Sequence, residues 1–173
     1  MSFGNCPNAV ARQRKSIAEY PLSENQQATT AGHAAKGTRR KGRELALQAL
    51  YQIEITGDCS GSAVELFLRH FEGNTQAKEF ARRLVSGVVS QHGEIDRMIE
   101  GCTEHWKLAR LAKVDLVILR MATYELVHCP DIPSSVSLDE AIEIAKRFGS
   151  ADSANFINGV LDQLAQTHNL KTQ

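Results

Sequence analysis

"AKVDLVILRMATYELVHCP", residues 112–130, is the stretch on which the fold turns. Its apolar residues, among them Val114, Val117, Ile118, Met121, Ala122 and Leu126, are not confined to a single helical stripe. A helix that is apolar on most sides is buried among other elements. Pro130 and Pro133 end it, because proline donates no hydrogen bond and clashes with the preceding turn. The pattern predicts a central helix over about residues 112–128, and the rest of the chain must cover it. Asp115 and Glu125 interrupt its apolar surface. Ion pairs are expected for both ahead of a catalytic role: Asp115 with Lys113 or Arg110, Glu125 with Arg120 or a more distant cation.

The neighbouring segments also read as helices. After the prolines, Ser137-Leu138-Asp139-Glu140 has the form of a capping box, and Leu138, Ala141, Ile142 and Ala145 continue a helix that Gly149 closes. A last helix begins near Asp152 or Ser153, with Ile157, Val160, Leu161 and Leu164 on one face. Upstream, a helix runs from about Glu94 towards Trp106, and another starts near Thr75 with Phe80, Ala81, Leu84 and Val88. A shorter one covers about Ser62 to Glu72, with Phe67 and Phe71 on one side. The first helix starts at Thr38 as N-cap and stops at Gly57. No segment alternates like a strand. The expected class is all-α, a compact bundle of about seven helices spanning 38–168, with a five-residue tail at 169–173. Residues 1–37 are rich in Asn, Gln, Ser, Thr, Ala and Gly, and read as a flexible extension in which "NAVARQRKSIAEY" could form a turn or two of helix on a partner.

Composition excludes several classes. With 42% apolar and 23% charged residues, the 173-residue chain is proportioned as one soluble domain. Cys6, Cys59, Cys102 and Cys129 show no CxxC spacing and read as reduced thiols of a cytoplasmic protein. No apolar run is long enough for a signal peptide or a membrane span. The net charge is zero, yet residues 1–44 carry eight Lys/Arg against three Glu, a balance of +5 that the remainder offsets. Such asymmetry points to a polyanion-binding end.

Enzyme signatures are absent: GxSxG, HExxH and GxGxxG do not occur, and "GHAAKGT" lacks the lysine and the preceding strand of a phosphate loop. Cys102 and His105 lie three apart without a second ligand pair, so no metal or cofactor is expected. The strongest signal is "TRRKGRELALQALYQIE", residues 38–54. Arg39, Arg40, Lys41 and Arg43 crowd into five positions, with Arg39 and Arg43 on one face. Cations at a helix start oppose the macrodipole, a cost that an anionic partner would offset; the alternative is a basic stretch that is merely solvated. Guanidinium forks suit phosphates, and Tyr51 offers a stacking face to an unpaired base.

Two stretches carry a resemblance. "RRKGRELALQALYQIE" and "VDLVILRMATYELVHCPDIPSSVSLDEAIEIAKRFGSADSANFINGVLDQLA", residues 114–165, resemble the NusB transcription antitermination factors. The resemblance implies a fold of two packed three-helix groups and no catalysis. It also implies binding of single-stranded boxA RNA in ribosomal RNA leader transcripts. The partners it implies are the small-subunit ribosomal protein NusE, the RNA polymerase antitermination complex and, in some members, a second copy in a homodimer. By the same resemblance RNA binding falls on Arg39, Arg40, Lys41, Arg43, Tyr51, Asp152 and Phe156, and partner binding on Asp115 and Phe148. Lys41 departs from the arginine common there, and Gly42 stands where alanine would favour helix, which predicts a loose first turn until RNA orders it. Phe148 and Phe156 flank a Gly/Ser/Asp-rich junction, and core packing is expected for at least one of them. Gly159 is expected to permit close helix contact.

Two other readings remain. Some ribosomal RNA cytosine methyltransferases carry a NusB-like domain, but they need a following Rossmann-like domain, and eight residues follow Ala165 here. A helical module that binds only protein is the third reading.

Overall fold

Why the chain turns where it does is visible at each helix end in the computed structural model, which describes residues 32–71, 74–103 and 107–170, with side chains from residue 37 onward. Expectations about residues 1–31, Glu72, His105 and Trp106, and the end of the tail lie outside the described residues. The described residues form seven α-helices and no strand, and the chain divides into two units at Ser90 and Gln91.

The first unit holds α1 (Gly32–Thr56), α2 (Gly61–Arg69) and α3 (Thr75–Ser90). Helix α1 begins six residues before the expected cap at Thr38, because Ala34, Ala35 and Lys36 are good helix formers that let it continue. It ends at Gly57, whose φ of 69° is the left-handed conformation that glycine adopts freely, and whose N–H donates to the Ile53 carbonyl at 2.8 Å. Ser60 then caps α2, its hydroxyl accepting from the Ala63 N–H. Asn74 opens α3 by accepting from the Gln76 N–H at 2.8 Å. Helices α1 and α3 form the main contact of the unit, burying Leu45, Ala46 and Leu50 on one and Ala77, Ala81, Leu84 and Val88 on the other. Glu65 on α2 and Arg82 on α3 tie those two helices by a forked ion pair.

Gly42 is the closest point of this packing. A Cβ there would stand 2.8 Å from Phe80 Cδ1 and 2.9 Å from the Ala77 carbonyl oxygen. The expected loose turn is therefore corrected: the glycine allows the two helices to touch.

The second unit holds α4 (His92–Cys102), a 3-10 turn at Leu108–Arg110, α5 (Lys113–His128), α6 (Ser134–Phe148) and α7 (Ser153–Thr167). Helix α5 touches α4, α6 and α7, and Leu116 through Leu119, Met121, Ala122 and Leu126 are buried, as its all-round apolarity requires. Its polar residues are buried too. Arg120 makes a two-pronged bond to Asp96 at 2.7 and 2.8 Å. Glu125 accepts a 2.6 Å hydrogen bond from the Ser137 hydroxyl, where an ion pair was one expectation.

That bond overturns the capping box. Pro133, with a ψ of 137° that is not helical, is the N-cap residue, so α6 starts directly after it. Ser137 and Glu140 then lie one turn inside and face the interior, both buried. Gly149 ends α6 as expected, in extended backbone rather than a left-handed turn. A Cβ there would collide with Ser153 Cβ at 2.5 Å, so close approach is what demands glycine.

Candidate nucleic-acid interface

The cationic cluster of α1 is not uniform. Arg39, Arg40 and Lys41 are exposed, whereas Arg43 is 3% exposed. Lys41 pairs with Glu44 one turn on, at 3.3 Å. Because α1 starts at Gly32, the cluster lies about two turns inside the helix, beyond the reach of the terminal dipole. The expected dipole penalty is therefore replaced by repulsion among neighbouring cations. Part of the compensation is internal: the guanidinium carbons of Arg39 and Arg43 lie over the Phe80 ring, 5.7 and 5.4 Å from its centre. Arg39 and Arg43 do share a face, as their spacing predicts.

In the sequence Phe80 is one more apolar position of α3. It is half-buried against the basic turn. The only cue in the sequence is Gly42, which marks a close approach without naming the residue that makes it.

Tyr51 is 40% exposed and sits eleven residues beyond Arg40, a near-integral three turns, so both point to the same side of α1 about 17 Å apart. The first unit thus offers a helix face with an exposed basic end and an exposed ring.

The remaining predicted residues lie in the second unit. Asp115 occupies the first turn of α5, and its Oδ1 is buried without a hydrogen-bond partner. The ion pair expected with Lys113 or Arg110 does not engage that atom. Phe148 ends α6 and lies beneath the Arg147 guanidinium at 5.1 Å. Phe156 stands in the first turn of α7, its N–H donating to the Asp152 carbonyl at 3.1 Å. Both rings are half-buried, so the junction between α6 and α7 has neither ring fully in the core. Asp152 is exposed at the start of α7 and makes no side-chain cap. Phe148, Asp152 and Phe156 are therefore gathered at one corner.

Gly159 departs from expectation. It is exposed, and a Cβ there would meet nothing within 4 Å. No close helix contact explains it.

Among the described residues, no three His, Cys, Asp or Glu side chains gather to hold a metal ion. Burial pushes the Cys102 thiol up, away from the reactive thiolate, against a weaker opposing hydrogen bond from Thr167. No helix there is long and apolar enough to cross a membrane.

Residues 40–166 match the model of the NusB family. The transcription antitermination protein NusB of Geobacter sp. (strain M21) is 49% identical over 138 residues, covering 75% of this chain and 95% of that one. Among solved structures, NusB of T. maritima is 41% identical with a TM-score of 0.68, covering 74% of this chain and 90% of that chain. A structure of the antitermination factors NusB and NusE in complex with dsRNA matches at 25% identity and a TM-score of 0.69, covering 76% of this chain and 98% of that one.

Proposed function

The chain belongs to the NusB family, and on that premise we propose that it is a transcription antitermination factor that binds boxA RNA of ribosomal RNA leader transcripts together with NusE. It works within the elongating RNA polymerase complex, promoting read-through and ribosomal RNA synthesis. It is a binding protein and not an enzyme, and its work places it in the cytoplasm. The observation that carries this reading is the family match itself, which runs from the basic turn of α1 through α7.

Arg39, Arg40 and Lys41 supply the phosphate contacts, and Tyr51 stacks on an unpaired base. Arg43, being buried, supports the turn from behind. Phe148, Asp152 and Phe156 form the second recognition corner. Asp115 is the docking point for NusE.

The reading is tested by titrating the purified chain into labelled boxA RNA and into a scrambled control across a salt series, with and without NusE. Preference for boxA that strengthens with NusE supports it. Equal affinity for both RNAs in both conditions would sink it.

A further inference from the structure

The basic turn holds more than charge. Arg39 and Arg43 are one helical turn apart, and like charges at that spacing repel. Free in solution, the two long side chains would splay apart. Instead both guanidinium carbons lie within 6 Å of the centre of one ring, Phe80. The ring reaches them because Gly42, between the two arginines, has no side chain to hold α3 away.

The two arginines differ in what remains open. Arg43 is buried, so its charge is directed into the protein. Arg39 is exposed, with its guanidinium carbon 5.7 Å from the centre of that ring. A guanidinium is planar and stacks on flat π-surfaces. Phosphate binding does not need that arrangement, since lysine serves phosphates as a point charge. A flat, held, cationic surface is what an unstacked base requires, and RNA-binding proteins stack bases on aromatic rings and on arginine planes.

We propose that Phe80 is a positioning residue for Arg39, and that the Arg39 guanidinium, backed by the Phe80 ring, is a stacking platform for one unpaired base of the bound RNA. The inference rests on the RNA-binding reading above and adds a base contact where that reading places only phosphate contacts. Tyr51, about 18 Å along the same helix, would hold a different base.

The test uses the full chain with NusE and boxA RNAs in which each adenine in turn is replaced by fluorescent 2-aminopurine. The wild type is expected to change the probe's emission at one position on binding, and Arg39→Lys to abolish that change. Arg39→Lys keeps the charge and removes the plane. It should weaken binding about ten-fold, as expected for loss of one stacked base, while the slope of affinity against salt stays unchanged. Phe80→Leu should lose the same emission change with the same unchanged slope, and Phe80→Tyr should restore it. Phe80 is partly core, so each variant is checked for native helicity, and Arg39→Lys stands as the decisive one because its side chain is exposed.

An emission change and an affinity that both survive Arg39→Lys would overturn the platform. So would an equal loss of affinity for boxA and for scrambled RNA with Arg39→Lys or Phe80→Leu, which would assign the loss to the phosphate contact alone. In both cases boxA binding by the wild type would leave the antitermination reading intact. A wild type that does not prefer boxA RNA would overturn that reading and the platform with it.

Discussion

At the scale of single residues, burial separates side chains that the sequence writes alike. Arg40 and Arg43 are both arginines of one cluster, yet one is exposed and the other is 3% exposed. Arg40→Ala should lower the slope of log affinity against log salt by about 0.7–0.9, the equivalent of one phosphate, with little change in stability. Arg43→Ala should do the reverse, destabilising the fold by about 2 kcal/mol while leaving the slope in place. Salt-series titration and denaturant unfolding of the two variants measure both. Asp115 gives a second contrast. Asp115→Asn removes the charge from a carboxyl whose Oδ1 is buried without a hydrogen bond, so the isolated chain should gain about 1 kcal/mol, a rise of about 2–4 °C in Tm. The same change should weaken NusE binding about ten-fold or more, since truncating a buried charged contact is worth a few kcal/mol. A calorimetric melt and a NusE titration would read the two effects, and a variant that loses stability while binding NusE normally would remove Asp115 from the interface.

At the scale of elements, the glycines of α1 and α7 look alike in sequence and behave oppositely. Alanine favours helix over glycine by about 1 kcal/mol. Gly159→Ala on α7 should collect that gain, because the new Cβ meets nothing within 4 Å. Gly42→Ala on α1 should lose more than it gains, by about 1–3 kcal/mol, because its Cβ would press on the Ala77 carbonyl and the Phe80 ring. Thermal melts of the two variants should therefore shift in opposite directions. Helix starts show the same limit of local reading. Ser137 to Glu140 fits the capping pattern, yet Pro133 starts α6 earlier and turns Ser137 towards Glu125. A local motif yields when a stronger local signal precedes it and a buried acceptor waits across the helix interface.

At the scale of the whole molecule, stability must depend on acidity through the link between α2 and α3. The Arg82 hydrogen bond holds Glu65 below the usual carboxylate range, against some opposing desolvation. A depressed folded pKa contributes stability that is present above the unfolded value, about 4.3, and lost as pH falls through the folded value. Glu65→Gln should therefore lower stability at neutral pH and flatten the fall below about pH 4, while the two proteins converge in strong acid. Chemical denaturation across pH 2–7 checks the sign, and a constant difference at every pH would exclude this pair as its source.

The sequence by itself determined the helical class and the central place of α5, because an apolar surface on most sides of a helix admits no other solution in water. It also determined the position of the basic cluster, the stop at Gly57 and the kinship, since these are written in residue type and spacing. Only the tertiary structure decided which of those residues are open to a partner. It put Arg43 inside and left Arg39 outside, brought Phe80 from α3 beneath both, and left Gly159 exposed. The reason is physical. Helical periodicity gives the direction of a side chain on its own helix, whereas exposure depends on which distant segment packs there and how closely the two backbones can approach.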